Sequence, residues 1–97
     1  MAIHVKLYGV FKTAAGTDSI NLDLLPAKQT VRTALTELVS RPGCDKLRTL
    51  MLEGDSSDPR STTLILVSGR EIGALAGLDT ELRNDDELSL LPIAHGG

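Results

Sequence analysis

The residues of this chain best suited to chemistry stand at its end, in the segment Pro92, Ile93, Ala94, His95, Gly96 and Gly97. The reactive group there is the carboxylate of Gly97. A carboxylate is a poor electrophile and reacts only after conversion to something better. Two glycines suit such a conversion. Having no side chain, they can thread a narrow channel and lie against another backbone, and no Cβ crowds the carboxyl carbon under attack. The competing reading of Gly96-Gly97 is a frayed terminus without a role. A free imidazole has its ordinary pKa near neutrality, but the place of His95 in a tail fits a recognition or spacer residue better than an acid or base.

The other chemical candidates are weaker. Cys44 is the single cysteine, so it forms no internal disulfide. It follows the helix stop Pro42-Gly43, which suggests partial exposure, and no neighbouring His or Lys is placed to activate it. His4 falls on the polar side of an alternating strand and reads as solvated. Glu71 and the run Asp85-Asp86-Glu87 invite a metal, but alternate strand residues point apart and no calcium-loop spacing is present. Gly69, Gly73 and Gly77 recur every four residues without the lysine and hydroxyl of a phosphate loop, so turns explain them. The expectation is a chain that binds no metal or cofactor of its own.

Composition narrows the classes further. With 97 residues the chain has one domain's worth of core. The net charge is -3, and no basic cluster or aromatic series offers a footprint for nucleic acid. The start, MAIHVKLYGV, lacks a signal-peptide layout. No apolar run approaches the roughly 20 residues that span a bilayer. A cytoplasmic location is the default expectation, with no membrane partner.

Periodicity supplies the elements that must position the tail. Ile3, Val5 and Leu7 alternate with polar residues and predict a strand; Ile20, Leu22 and Leu24 predict a second, ended by Pro26. Gly9 to Gly16 between them reads as a loop, making an antiparallel hairpin with a long connection. Thr30 is placed to cap a helix over 31–41, in which Val31, Ala34, Leu35, Leu38 and Val39 share a face before Pro42-Gly43. Residues 46–52 read as a short helix or an irregular segment, and 54–61 as loop. Leu64 to Val67 predicts a strand turning at Ser68-Gly69 into a short return strand over 70–72. Residues 73–82 read as a loop with a helical turn, and Glu87 to Leu91 as the last strand. Leu91 and Pro92 then leave the sheet. The predicted organisation is an α+β domain over 1–92 and a flexible tail over 93–97.

Four segments carry a family resemblance: KLYGVFKTAAG (6–16), LILVSGREI (64–72), GLDTELRNDDELSLLP (77–92) and the terminal HGG (95–97). With the helix between them, the chain resembles the ubiquitin-like, beta-grasp sulfur carriers and modifiers along nearly its whole length. These include the small subunit of molybdopterin synthase, the thiazole-synthesis sulfur carrier, and the ubiquitin-related modifiers of eukaryotes and archaea. Gly9-Val10-Phe11 and the segment ending in Leu-Leu-Pro resemble the molybdopterin-synthase type, whereas a His before the Gly pair resembles the eukaryotic modifier.

The resemblance implies a carrier whose chemistry is done by its partners. An E1-like adenylating enzyme would spend ATP and magnesium to form an acyl-adenylate at Gly97, with Gly96 beside it. A persulfide sulfur donor would then displace AMP, leaving a thiocarboxylate or thioester. Sulfur would pass to a cofactor precursor or a tRNA base, or the glycine would join a lysine of a target protein. A dedicated subunit paired with a large sulfurtransferase subunit is one alternative, and a binding module with an inert tail another. The helix covers one face of the sheet, so partners are expected on the other, with Tyr8, Phe11, Leu91, Pro92, Ile93 and His95 as contacts. Asp85 and Asp86, with Asp79, Glu81 and Glu87, would steer the chain toward a basic partner.

Overall fold

The computed structural model describes residues 1–52 and 58–93. Its strands are β1 (Ala2–Leu7), β2 (Ser19–Asp23), β3 (Gln29–Thr30), β4 (Thr63–Val67), β5 (Arg70–Glu71), β6 (Glu81–Leu82) and β7 (Glu87–Pro92). Its helices are α1 (Gly9–Ala15), α2 (Val31–Val39) and α3 (Asp45–Met51). The main sheet has the order β2-β1-β7-β4-β5, with β1 and β7 parallel and the remaining pairs antiparallel. A separate two-residue ladder joins β3 to β6. The helices pack on one face of the main sheet, as the α+β expectation required. Among the described residues no helix is long and apolar enough to cross a membrane.

Alternation builds the core. Ile3, Val5 and Leu7 of β1 face the helices with Leu22 of β2, Ile65 and Val67 of β4, and Leu88 and Leu90 of β7. Val31, Ala34, Leu35 and Leu38 of α2 and Leu47 and Met51 of α3 close over them. Thr30 caps α2 through a reciprocal exchange in which the Thr30 hydroxyl accepts from the Thr33 N–H and the Thr33 hydroxyl accepts from the Thr30 N–H. Two orphan donors of the first turn are thereby satisfied.

The longest element that departs from the sequence reading is α1. Residues 9 to 15 are helix, not loop. The two glycines that read as loop punctuation are the helix boundaries. Gly16 sits in the left-handed region (φ 74°) and donates to the carbonyls of Lys12 and Thr13, closing the C-terminus. Phe11 drives the segment onto the sheet and is almost completely buried. Its place in the core also corrects the expectation that Phe11 is a docking contact. Leu91 and Pro92, expected to leave the sheet, both stay in it, opposite Leu64 and Thr63 of β4.

Phe11 therefore contributes to stability and not to recognition. Phe11→Ala should lower the unfolding free energy by about 3–5 kcal/mol, the usual cost of emptying a buried aromatic site, as read by urea denaturation.

Candidate functional site

Residues on the far side of the sheet from the helices form the only broad face left open by the described elements. Register places His4, Lys6, Asn21, Leu64, Leu66, Ser89 and Leu91 on it. Leu64 and Leu91 stand directly opposite one another, and Leu66 is opposite Ser89. Leu64 is exposed and Leu66 and Leu91 half-buried, so the C-terminal half of β7 runs through an apolar strip. Tyr8 and Ile93 extend the strip at the end where the chain leaves the sheet, at 44% and 40% exposure. Three of the expected contacts, Tyr8, Leu91 and Ile93, thus share one end of the molecule with Pro92. Leu64 and Leu66 escaped the sequence reading. Their signal was the unbroken run Leu64-Ile65-Leu66-Val67, which is too apolar for a strand with one wet face.

The other end of this face is polar. Asn84 and Asp85 form the turn into β7, with Asp85 in the left-handed region (φ 69°) that Asn and Asp tolerate. The Asp86 carboxylate accepts from the Arg83 N–H at 2.7 Å and from the Ser68 hydroxyl at 3.1 Å. It therefore fastens this turn to the turn between β4 and β5. Ser68 and Gly69 both have positive φ there, as the tight hairpin turn demands. Asp85 and Asp86 precede β7 while the tail follows it. The intervening strand separates them from the tail root by about 20 Å at the usual rise. Of the other acidic residues, Glu87 follows Asp86 and opens β7, whereas Asp79 pairs with Arg32 and Glu81 with Lys28.

His4 on β1 ties β2 to the turn that precedes β7. Its Nδ1 lies 2.9 Å from Asn21 Oδ1 and its Nε2 3.2 Å from Asp85 Oδ1. Both partners are acceptors, so only the doubly protonated imidazolium can donate to both. The Asn21 oxygen, then the Asp85 carboxylate, raise its pKa above the ordinary 6.5. His4 is bonded, not simply solvated as its strand position suggested. Cys44 is buried, not partly exposed. Among the described residues no group of His, Cys, Asp and Glu could hold a metal ion. His95, Gly96 and Gly97 lie outside the described residues.

A helix laid across a mixed sheet whose terminal strand runs up the middle is the beta-grasp architecture of ubiquitin-like proteins. No protein-family model matches the chain. A protein of Archaeoglobus fulgidus assigned as a sulfur carrier is 33% identical over 97 residues, spanning the whole of both chains. The crystal structure of small archaeal modifier protein 1 from Haloferax volcanii superposes with a TM-score of 0.83 at 26% identity, over 100% of each chain. Its namesake from Methanosarcina acetivorans, solved in solution, gives 0.80 at 27% identity over 99% of this chain and 96% of that one. Urm1 from Trypanosoma brucei shares the fold, with a TM-score of 0.73 at 22% identity over 99% of this chain and 95% of that one. The chain belongs to the beta-grasp family of sulfur carriers and ubiquitin-like modifiers.

The His4 contacts give a pH dependence with a definite sign. A folded-state pKa raised above the unfolded value means stability that is complete below pH 6.5 and lost as pH rises through the raised value. The difference in denaturation midpoint between the wild type and His4→Gln should shrink over that window. A difference that grows with pH would contradict the assignment.

Proposed function

We propose that the chain carries an activated acyl group on Gly97, serving as a sulfur carrier and as a modifier of lysines. The observation that supports this most is the placement of β7. It is paired on both edges, to β1 and to β4, and its last residues emerge beside the apolar strip. Four residues follow Ile93. They start from a fixed point on a surface suited to burial by a partner, and the last two have no side chains to obstruct entry.

The chemistry follows from the carboxylate. In the activating enzyme a Gly97 oxygen attacks the α-phosphorus of ATP, and magnesium-bound pyrophosphate leaves. The resulting mixed anhydride has AMP as a good leaving group. A persulfide sulfur of a donor protein attacks the carbonyl carbon and expels AMP, forming an acyl disulfide. A thiol then attacks the donor cysteine's sulfur in that disulfide, forming a new disulfide with the donor and expelling the thiocarboxylate. An amine of a target lysine attacking the activated carbonyl gives an amide instead. The carrier supplies the acyl group, and its partners supply positioning and electrostatic stabilisation of the transition states. Likeness to the archaeal modifiers supports the lysine branch, and likeness to the Archaeoglobus protein supports the sulfur branch.

Docking would use Leu64, Leu66, Leu91, Tyr8 and Ile93, with the polar end as rim. A compact apolar centre inside a polar border is the usual anatomy of a protein interface. Asp85 and Asp86 would contribute through long-range attraction, given their distance from the tail.

Two measurements test these statements. Deletion of Gly96 and Gly97 should abolish ATP–pyrophosphate exchange by the host's activating enzyme and remove every lysine conjugate from cells. Exchange that persists at the wild-type rate would leave the tail inert and the chain a binding module. Leu64→Ala combined with Leu91→Ala should raise KM about tenfold or more, since buried interface anchors often contribute over 1 kcal/mol each. Unchanged KM would move docking to another face.

A further inference from the structure

The proposed activation would gain from a tail held in a defined direction, and the contacts at the end of β7 bear on that direction. On one edge β7 follows β4 to its end, where the Ile93 N–H donates to the Thr62 carbonyl at 3.0 Å. On the other edge it follows β1 only to Leu90, whose carbonyl accepts from the Tyr8 N–H at 3.3 Å. Beyond that point β1 turns off into α1 at Gly9, with φ 55°. Successive backbone N–H groups along a strand point to opposite edges. Since that of Ile93 faces β4, one at residue 92 would face β1, toward the Tyr8 carbonyl. That carbonyl is already taken by the first turn of α1, accepting from Phe11 at 3.1 Å and from Lys12 at 3.5 Å. Residue 92 is proline and has no N–H to leave without a partner. Its ring fills the space instead. A Cβ added to Gly9 would lie 2.9 Å from Pro92 Cγ, closer than real contacts allow.

We infer that Gly9 and Pro92 form a positioning joint, in which the ring of Pro92 against the bare backbone of Gly9 and the Ile93–Thr62 bond together aim the reactive tail. The inference rests on the proposed activation of Gly97, but the joint can be examined separately. Neither residue touches the reacting atoms. Their effect is on the fraction of time the tail spends aligned in a bound partner, so it falls on turnover and not on docking.

The test uses the full chain with Pro92→Ala, Gly9→Asn and the double variant. Asn tolerates positive φ, so Gly9→Asn introduces chiefly the clash with the ring. Steady-state pyrophosphate exchange and amide hydrogen exchange are both measured well below the melting temperature. Each single variant should lower kcat at least fivefold with KM within twofold of wild type. The Ile93 amide should exchange at least tenfold faster, with that of Leu88 unchanged. The double variant should be no worse than Pro92→Ala, because the atom met by the new Cβ is gone. Should Gly9→Asn fail to fold, Pro92→Ala and Pro92→Gly carry the same test. Wild-type kcat in folded variants, a change confined to KM, or uniform loss of amide protection would each overturn the joint. Absence of exchange with the wild-type chain would instead count against the proposed function, leaving the Ile93 amide to decide the joint.

Discussion

The parallel pairing of β1 with β7 is the constraint on which the rest of the structure depends. It brings the first strand and the last side by side in the middle of the sheet, with β2 outside one and β4 outside the other. Val5 stands beside Leu88 and Leu7 beside Leu90, all four buried, so the two ends of the chain share the centre of the core. A parallel pair needs a long crossover, and here the crossover includes α2 and α3, which pack on one face of the sheet. The last strand cannot be lost without opening the core. Backbone pairing therefore extends to Ile93, four residues before Gly97.

This arrangement divides labour between the two faces. The covered face uses alternate residues of every long strand for stability. The open face is free to be apolar near the tail and polar at the far end. At the polar end, His4, Asn21, Asp85, Asp86 and Ser68 join neighbouring strands and turns through hydrogen bonds between exposed groups. At the tail end, Leu64 and Leu91 meet solvent instead of a second layer. This apolar pair is the surface that the proposed activating partner would cover.

The strands and the main helix were legible because their apolar residues repeat with clear periods, and Thr30 with Pro42-Gly43 marked the limits of α2 to within two residues. Helix α1 was hidden because its seven residues make two turns and contain one fully buried anchor, Phe11, which is too little for a period to emerge. Its flanking glycines signal loop and helix boundary equally well. The ladder of β3 with β6 is two residues long and had no pattern to read. For the site, Leu91, Pro92 and Ile93 could be placed near the tail from chain order alone, whereas Tyr8 joins them only through the parallel pairing of β1 with β7. Leu64 and Leu66 required the register of β4 against β7. The contact of Gly9 with Pro92 joins residues at opposite ends of the chain, and no local pattern announces it.

The central claim is that the carboxyl group of Gly97 is the working part of the molecule. The most direct measurement is the intact mass of the chain after incubation with the host's activating enzyme, ATP, magnesium and a persulfide donor, followed by a thiol. The expected result is a gain equal to the exchange of one oxygen for sulfur, located at Gly97 by fragmentation. An unchanged mass, with the same enzyme active on another carrier in the same reaction, would contradict the claim.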